Sequence, residues 1–399
     1  MTANIEQSNW TSPLRNRSAE LDGLRGLAVL AMLLQHVQAI PPLMDGRAPT
    51  GLVDTAFLQG INSMWVLLDA FFVLSGFLTA CALLGRGATR SETAKFWVRR
   101  LFRLLPLYYL FLVLYLYVFT FADAPQSDWE QNFEAQGWFW TFLSNNYMAV
   151  ADTFAGPLSS YWFLAVDMQA TVVLTVMILL LPRKWLVRAA LAGIALVILS
   201  RIVLLLIGFP ELSVYRFTTS RLDGFFVGLI IGVFAGRSDA ARFLPIARRI
   251  FVGGLVLLAV LIAAFGGLRP GHVVDSWNSP IVVAVGFTVC AVTWGALIFL
   301  VAAGEGPRRL LSFRPFVSAG KYSYGMFLSN LFVMGVFFIA GFSQSAVMEW
   351  FHGIPILGIL VYGTAMLGVS YLVGVLTYHG FERWMSQLGQ RISRRVGPR

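Results

Sequence analysis

Charged residues, cysteine and lysine are scarce in this 399-residue chain. Charged residues make up 13% of the sequence against 57% hydrophobic residues, and the charges gather between long apolar runs. That distribution excludes an ordinary soluble globular domain and predicts a polytopic helical membrane protein. The two cysteines, Cys81 and Cys290, both lie in apolar stretches, which excludes a disulfide framework. Lysine occurs three times against 27 arginines, a bias typical of a GC-rich bacterial genome.

Signals for several other classes of protein are also missing. No pair of histidines or carboxylates has the spacing of metal ligands and no glycine-rich phosphate loop is present, so we expect no metal and no nucleotide hydrolysis. The N-terminal segment is polar and has no apolar core before a small-residue cleavage site, so we expect no cleaved signal peptide. The net charge of +10 would suit nucleic acid, but the basic residues lie in short loops beside apolar runs, where they set membrane orientation. We therefore expect the lipid bilayer as a partner and no nucleic acid.

Ten apolar stretches are long enough to cross a bilayer, since a core of about 30 Å needs about twenty helical residues. They span residues 21–40, 61–84, 104–122, 161–181, 189–208, 219–236, 250–268, 281–302, 322–341 and 356–379. With alternating orientation and a cytoplasmic N-terminus, all but five of the 30 basic residues fall on or beside the cytoplasmic side, the five being Arg47, Arg201, Arg216, Arg221 and Arg269. This asymmetry predicts an all-α integral membrane protein of the cell (inner) membrane, with about ten transmembrane helices and both termini in the cytoplasm.

The same pattern divides the chain into one membrane domain and two short tails. We expect a cytoplasmic N-terminal tail over residues 1–20, a transmembrane domain over 21–380 and a basic cytoplasmic C-terminal tail over 381–399. The aromatic segment 129–150 is too short in its apolar part to span, and we interpret it as an outer loop at the membrane interface.

One apolar run carries two ionisable residues on the same helix face. Arg25 and His36 lie eleven residues apart in LDGLRGLAVLAMLLQHVQAI. Eleven steps of roughly 100° return to within about 20° of the starting direction, about 16 Å along the axis. Ionisable groups in the hydrocarbon layer cost about 2.5 to 3.5 kcal/mol each and indicate function by default. The alternative is structural, with an arginine that reaches the headgroups and a histidine hydrogen-bonded between helices.

Five ionisable residues are predicted to share one depth near the outer ends of their spans. They are His36, Asp69, Asp167, Arg201 and Asp223. Because isolated charges at that depth need compensation, we expect them to face one polar, partly hydrated cavity. The alternative is that each pairs separately across a helix interface, for instance Arg201 with an aspartate as a structural tie.

A second polar layer is predicted at the inner face. Arg25 is joined there by Arg99, Arg100 and Arg103 from KFWVRRLFRLLP, a stretch that ends where Pro106 begins the third span, and Lys321 lies at the start of the ninth. Arginine presents a planar fork suited to phosphate, so these residues are candidates to hold a polyphosphate carrier. The alternative is the ordinary positive-inside signal, which binds acidic lipid headgroups.

Several separated segments carry motifs that belong together. In chain order they are LDGLRGLAVLAMLLQH, WVLLDAFFVLSGFLTA, FWVRRLFRLLPLYY, YWFLAVDMQ, RLDGFFVG, GKYSYGMFL and FERW. In this order, over nearly the whole chain, they resemble the acyltransferase family 3 membrane enzymes, which acylate sugars and other hydroxyl-bearing molecules. Two positions depart from the family pattern: Asp167 stands where glutamate is more common, and Asn330 stands where a histidine is common.

The resemblance implies an O-acyltransferase that takes an acetyl or other short acyl group from acetyl-CoA or another acyl-CoA in the cytoplasm. The acceptor would be a hydroxyl of a carbohydrate, a glycolipid or a glycosylated small molecule such as a macrolide, reached through the outer cavity. The candidates for binding the acyl-CoA donor are Arg25, Arg99, Arg100, Arg103 and Lys321. Neither the acceptor nor the acyl chain length follows from the sequence.

Histidine suits this chemistry, because its ordinary pKa of about 6.5 lets it take a proton from a hydroxyl near neutral pH. His36 is our candidate, either as general base or as a nucleophile that forms an acyl-imidazole. A carboxylate on the second ring nitrogen would fix the tautomer, a role for Asp167 or, alternatively, Asp69. The candidates for stabilising the thioester oxygen or binding substrate are Ser75, Trp162, Arg201, Arg221, Asp223 and Asn330; serine and asparagine also tie transmembrane helices together.

Two other classes of function remain open on the sequence. A transporter or flippase of a lipid or glycolipid would also have ten spans with buried charges, and a non-catalytic assembly partner would bind neither donor nor acceptor. The remaining histidines are expected to be structural, His272 and His352 solvated in outer loops and His379 as a cap at the inner end of the last span.

Overall fold

The computed structural model describes residues 19–38, 51–118, 129–266, 278–351 and 355–396. Within these ranges the regular structure is helical. In chain order the α-helices are α1 (Ala19–Gln38), α2 (Leu52–Asn62), α3 (Leu68–Leu84), α4 (Arg90–Val113), α5 (Trp129–Glu134), α6 (Gln136–Trp140), α7 (Ser144–Val150), α8 (Tyr161–Leu180), α9 (Arg183–Leu206), α10 (Glu211–Arg216), α11 (Leu222–Ala235), α12 (Leu244–Gly266), α13 (Phe287–Ala302), α14 (Arg308–Leu311), α15 (Arg314–Ile339), α16 (Gln344–Trp350), α17 (Pro355–Thr377) and α18 (Arg383–Arg395). Arg47, Arg269, His272 and His352, for which the sequence made predictions, lie outside the described residues.

Eight helical stretches in the described ranges are long and apolar enough to cross a membrane. They are Leu52–Leu84, Arg90–Val118, Gly156–Leu180, Arg183–Leu206, Ala240–Phe265, Val282–Ala302, Arg314–Ile339 and Ile356–Arg395. The two other predicted spans are helical as well, but α1 carries acidic residues in its first turn and Arg25, and α11 has only 14 residues. The chain is therefore a multi-pass helical membrane protein, and its ten spans and cytoplasmic termini stay predictions.

Several helices begin well before their apolar stretch. α4 starts at Arg90, where the Thr89 side chain accepts the backbone N–H of Glu92 at 3.2 Å. It continues through Pro106, so the prediction that this proline begins the third span was wrong. Arginine, lysine and glutamate are good helix formers, and a proline can lie within a membrane helix whose neighbours satisfy the freed backbone group.

Close helix contacts fix the directions of the central helices. A side-chain carbon on Gly26 of α1 would overlap the carbonyl of Phe316 in α15, so these two helices approach at backbone distance, as small residues allow. Near the other end of α1, His36 contacts Asn330 of α15. α1 and α15 therefore run parallel.

Three further helices are oriented by paired contacts. Tyr324 of α15 donates to the Leu104 carbonyl of α4 at 2.6 Å, and Phe332 packs on Phe111 further along both helices, so α4 runs with α15. Phe72 and Ser75 of α3 contact Phe163 and Asp167 of α8, in the same order, so α3 and α8 are parallel. Tyr161 of α8 donates to the Tyr108 carbonyl of α4, and Asp167 of α8 contacts Arg100 of α4, so α8 is antiparallel to α4.

We call the end at which α1, α4 and α15 begin the basic end, because Arg90, Lys95, Arg99 and Arg314 lie there.

The segment 129–150 forms three short helices, α5 to α7, beside α10 at the end opposite the basic end. Tyr108 donates to the Phe139 carbonyl at 2.6 Å, and Tyr109 donates to the Trp140 carbonyl at 3.0 Å. Arg216 of α10 donates to the carbonyls of Met148 and Thr153, and its burial lowers the pKa of Arg216 to about 10. These bonds fasten the segment to α4 and α10.

Candidate active site

A buried polar cluster joins α3, α4 and α8 in the interior of the bundle. The Arg100 guanidinium donates to Asp167 at 2.5 Å and to the Ser75 hydroxyl at 3.2 Å. The Ser75 hydroxyl donates to the other Asp167 oxygen at 2.5 Å. The side chains of Arg100 and Asp167 are 15% and 12% exposed. We call these three residues the arginine–aspartate cluster.

This cluster corrects the two-layer interpretation of the sequence. Arg100 was placed in an inner layer and Asp167 in an outer one, yet the two side chains form an ion pair. The long arginine side chain and the antiparallel course of α4 and α8 bring them to one depth. Arg100 Nε is buried without a hydrogen-bond partner among the described residues, so the guanidinium retains a donor.

His36 lies on α1 beside Asn330 of α15, with 3.1 Å between its Nδ1 and the amide oxygen. The Asn330 amide nitrogen donates to the Phe327 carbonyl at 3.0 Å. That bond turns the amide oxygen toward the ring, and an amide oxygen only accepts, so Nδ1 carries the proton. Nε2 is then the basic nitrogen of a neutral imidazole.

The predicted pairing of His36 with a carboxylate is therefore corrected. Asp167 is bound to Arg100 and Ser75, and Asp69 accepts from Arg221 at 2.8 Å. Asn330 takes the orienting position. A neutral amide fixes the tautomer as a carboxylate would, but it compensates an imidazolium charge less well.

The orienting role of Asn330 gives a testable expectation. Asn330→Leu keeps a similar volume and removes the hydrogen bond, so His36 loses its fixed tautomer, and we expect kcat of a reaction in which His36 takes a proton to fall about tenfold or more. Ser329→Ala is the matched control, since Ser329 is buried on the same helix and bonds only within its own turn at 3.4 Å. Equal rates for the two variants would contradict this role.

The remaining outer charges form two ion pairs. Arg201 donates to Asp223 at 2.7 Å and to the Ser220 carbonyl at 2.7 Å, and Thr288 donates to the same carboxylate at 2.6 Å. Arg201, Asp223 and Arg221 have fully buried side chains, and that of Asp69 is 1% exposed. Of the five residues predicted to share a cavity, Asp167 pairs with Arg100 and His36 with Asn330. The two remaining ion pairs lie side by side, because both guanidiniums contact the ring of Phe287.

Arg221 is enclosed by aromatic rings and incompletely paired. The rings of Phe72, Tyr215 and Phe287 lie 5.1, 4.7 and 4.4 Å from its guanidinium carbon, and Trp162 packs on Tyr215 at 4.8 Å. Arg221 Nε and Nη1 and Asp69 Oδ2 have no hydrogen-bond partner among the described residues. Trp162, Arg221 and Asp69 thus come together, apart from the arginine–aspartate cluster.

The basic end brings together only some of the predicted donor-binding residues. A cavity of about 420 Å³ is lined there by Asp22, Ser312, Arg314, Ser318 and Lys321, together with Ala19 and Val317. Arg25 lies 3.4 Å from Asp22. The Lys321 ammonium lies 3.2 Å from the Tyr322 hydroxyl, which also contacts His379 at 3.2 Å.

The other predicted donor-binding arginines lie along α4. Arg103 is exposed, and Arg99 is partly buried. His379 lies in a turn of π-helix between α17 and α18 and contacts Tyr322, rather than capping a helix end as expected. The four arginines of the predicted inner layer therefore do not form one cluster.

Sequence reasoning left several buried residues without a role. Glu382, in the FERW motif, is 8% exposed and accepts from Thr377 at 3.2 Å. Phe163 and Phe327, within the motifs YWFLAVDMQ and GKYSYGMFL, pack on each other with ring centroids 5.1 Å apart. The available signal was their position, four residues before Asp167 and three before Asn330.

Comparison with known proteins adds an independent result. The family model described as an acyltransferase domain, of the acyltransferase 3 family, matches residues 18–375. The chain is similar to the O-acetyltransferase OatA of Staphylococcus aureus (strain NCTC 8325 / PS 47), with 25% identity over 77% of this chain and 49% of that protein. It is also similar to YrhL of Bacillus subtilis (strain 168), whose name proposes a peptidoglycan O-acetyltransferase, with 26% identity over 94% of this chain and 56% of that protein. The chain spans about half the length of the curated relatives it matches. No solved structure matches it.

Proposed function

Since the chain belongs to the acyltransferase 3 family, we propose that it is a membrane O-acetyltransferase. It moves an acetyl group from acetyl-CoA, bound from the cytoplasm, to a hydroxyl of a cell-envelope carbohydrate. The observation that carries the proposal is the half-buried His36 of α1, whose tautomer is fixed by Asn330, so that Nε2 is its basic nitrogen.

The residues at the basic end fit a polyphosphate donor. Arg314 and Lys321 line one cavity with the hydroxyls of Ser312 and Ser318, and arginine, lysine and hydroxyl groups are the side chains that bind phosphate. Deeper in the bundle, Arg100 keeps an unpaired Nε donor beside Asp167. The part of acetyl-CoA that carries the thioester would enter from the basic end and contact these groups before it reaches His36.

His36 Nε2 then acts as the general base in this proposal. It takes the proton of the acceptor hydroxyl while the hydroxyl oxygen bonds to the thioester carbonyl carbon, the C–S bond breaks, and the imidazolium returns the proton to the leaving sulfur. Ser75 and Arg100 lie on the donor side of His36, where they would contact the donor rather than the carbonyl oxygen on which charge develops. Asn330 keeps Nδ1 protonated throughout.

The acceptor class follows from the relatives by analogy. The relatives' names refer to O-acetyl transfer and, for YrhL, to peptidoglycan, so we propose a glycan hydroxyl of the envelope as acceptor and the inner membrane as location. The enclosed aromatic and charged group around Arg221 and Trp162 lies toward the end opposite the basic end, where such an acceptor would arrive.

The test uses membrane vesicles from cells that produce the protein, supplied with radiolabelled acetyl-CoA. We expect label to enter envelope glycan, and mass spectrometry of the released sugars to show a species heavier by one acetyl group. Vesicles from cells without the protein are the control. If glycolipid crosses the vesicle membrane in the absence of acetyl-CoA and no glycan becomes labelled in its presence, the result would instead support the carrier function.

A further inference from the structure

A second basic cavity opens between the first turn of α9 and the end of α11. Its volume is about 530 Å³. The lining residues that matter here are Arg183, Lys184, Val187, Arg237, Ser238 and Asp239. It shares no residue with the cavity that Lys321 lines, which is formed by α1, α15 and the turn before α15. The two cavities are therefore separate sites.

The second basic cavity lies at the basic end of the bundle. α8 is antiparallel to α4, so α8 ends at the basic end and α9 begins there with Arg183. A side-chain carbon on Gly224 of α11 would contact Phe72 of α3, and one on Gly232 would contact Ala80, eight residues further along both helices. α11 is therefore parallel to α3 and α8 and also ends at the basic end.

The cavity holds more positive charge than its own carboxylate compensates. Asp239 accepts from Arg237 at 2.7 and 3.0 Å, and Arg242 lies 3.0 Å from the same carboxylate. Arg183 and Lys184 add cations on the α9 side, and Lys184 has no ion-pair partner among the described residues. Four cations thus stand around one carboxylate. Lysine and arginine are the side chains that bind phosphate, so the cavity suits a phosphate group.

The surroundings of the cavity favour a lipid as the source of that phosphate. Trp185 follows Lys184 in the chain and is exposed, and the Arg188 guanidinium carbon lies 4.9 Å from its ring. Exposed tryptophan is typical of the interface between the headgroups and the hydrocarbon. Val187 lines the cavity, and Leu191, on the same face one turn further into the span, is exposed. A polar headgroup in the cavity would therefore continue into acyl chains along an apolar face of α9.

We propose that the second basic cavity binds the phosphate of an anionic phospholipid headgroup. Basic pockets between membrane helices are known to take such headgroups. Lys184 lies on α9 and Arg237 follows α11, so one bound headgroup connects the two helices, which also carry the ion pair of Arg201 and Asp223. Because a ligand that binds only the folded state stabilises it, the lipid stabilises this part of the bundle. The binding is independent of acyl transfer.

The test measures Tm of the purified full chain in a neutral detergent as phospholipid is added. We expect phosphatidylglycerol to raise Tm and phosphatidylcholine with the same acyl chains to leave it unchanged, since only phosphatidylglycerol has a net negative charge. Lys184→Gln should raise the lipid-to-detergent ratio at half of the Tm increase about fivefold, the effect of one cation near a lipid headgroup. Lys184→Gln/Arg183→Gln should raise it about 25-fold. Without lipid, Lys184→Gln should unfold as the parent does, because Lys184 is exposed.

Arg90→Gln is the matched control. Arg90 is exposed at the same end of the bundle, on α4, and does not line the cavity, so this variant should respond to phosphatidylglycerol as the parent does. Equal weakening by Arg90→Gln and Lys184→Gln would overturn the proposal, since the charge of the whole end would then attract the lipid. An equal Tm increase with phosphatidylcholine would also overturn it.

Two soluble probes separate a lipid headgroup from a free phosphate. Neither glycerol 3-phosphate nor acetyl-CoA should displace phosphatidylglycerol from the parent protein, because neither has acyl chains along α9. Displacement by either compound that is lost in Lys184→Gln would assign the cavity to a soluble phosphate and overturn the lipid assignment. Arg183→Gln provides an independent second variant for each comparison.

Discussion

His36→Ala is expected to lower the rate of acetyl transfer by about 10²- to 10⁴-fold, the usual contribution of a positioned general base. The reason is that Asn330 holds the proton on Nδ1 of this imidazole, which leaves Nε2 as the base. Donor binding should change little, because the cavity at the basic end is formed by other residues, among them Arg314 and Lys321. The measurement is label transfer from acetyl-CoA at saturating donor, together with equilibrium binding of acetyl-CoA.

Two further variants separate the base from the hydrogen bond. His36→Gln keeps a polar side chain able to bond Asn330 but has no titratable nitrogen, so we expect it to be as inactive as His36→Ala. Gln35→Ala changes the neighbouring polar residue on the same helix, about 100° away around the axis, and should keep nearly full activity. Normal transfer by His36→Gln would exclude both proposed roles of the histidine.

The same variants distinguish general base from nucleophile. A nucleophilic imidazole forms a bond from Nε2 to the carbonyl carbon and releases the CoA thiol before the acceptor reacts. Labelled acetyl-CoA without acceptor would then leave label on the parent protein and none on His36→Gln. A direct transfer leaves both proteins unlabelled, with CoA release only when glycan is present.

The sequence identifies the long helices well, because long apolar runs have few alternatives in a membrane. Within the described residues each of the ten predicted stretches falls largely on a helix, and eight helical stretches there are long and apolar enough to span. α4 and α15 begin within basic segments that hydropathy excludes. His36 also emerges from the sequence, since a lone histidine inside an apolar helix requires an explanation. The hydrogen-bond and ion-pair partners of such residues depend on how the helices pack against one another, and a single amino-acid sequence does not show that packing.

Asp167 shows the consequence. Its depth within its own helix suggested a place beside His36, whereas the relative shift of α4 and α8 brings Arg100 to the carboxylate. Asn330 was noticed as a departure from a family pattern, and only the contact with His36 shows what an amide does there. The packing of Phe163 on Phe72 and Phe327 was missed because rings in a membrane helix carry no signal of their own.

The ion pair of Arg100 and Asp167 is expected to give the second large effect, on stability and activity together. Arg100→Met leaves Asp167 inside the bundle without its cation, and loss of one partner of a buried pair costs about 3 kcal/mol or more. We expect a loss of unfolding free energy of about 3 kcal/mol, the lower end of this range, because the two side chains are 15% and 12% exposed. Thermal unfolding in detergent should show a clear decrease in Tm, whereas Arg248→Met, in an exposed pair with Glu305, should unfold as the parent does.

The double variant Arg100→Met/Asp167→Leu divides the two roles of the pair. Removing both charges replaces an ion pair by apolar packing, which is often neutral or stabilising, so Tm should recover most of the loss seen in Arg100→Met. Acetyl transfer should not recover, because Arg100 is also proposed to donate a hydrogen bond to the part of acetyl-CoA that carries the thioester. Recovery of both Tm and acetyl transfer would show that the ion pair only ties α4 to α8. Acetyl-CoA would then have to reach His36 by a route that does not pass Arg100 and Ser75. Recovery of Tm without transfer would show that the reaction needs the guanidinium itself, beyond its role in tying α4 to α8.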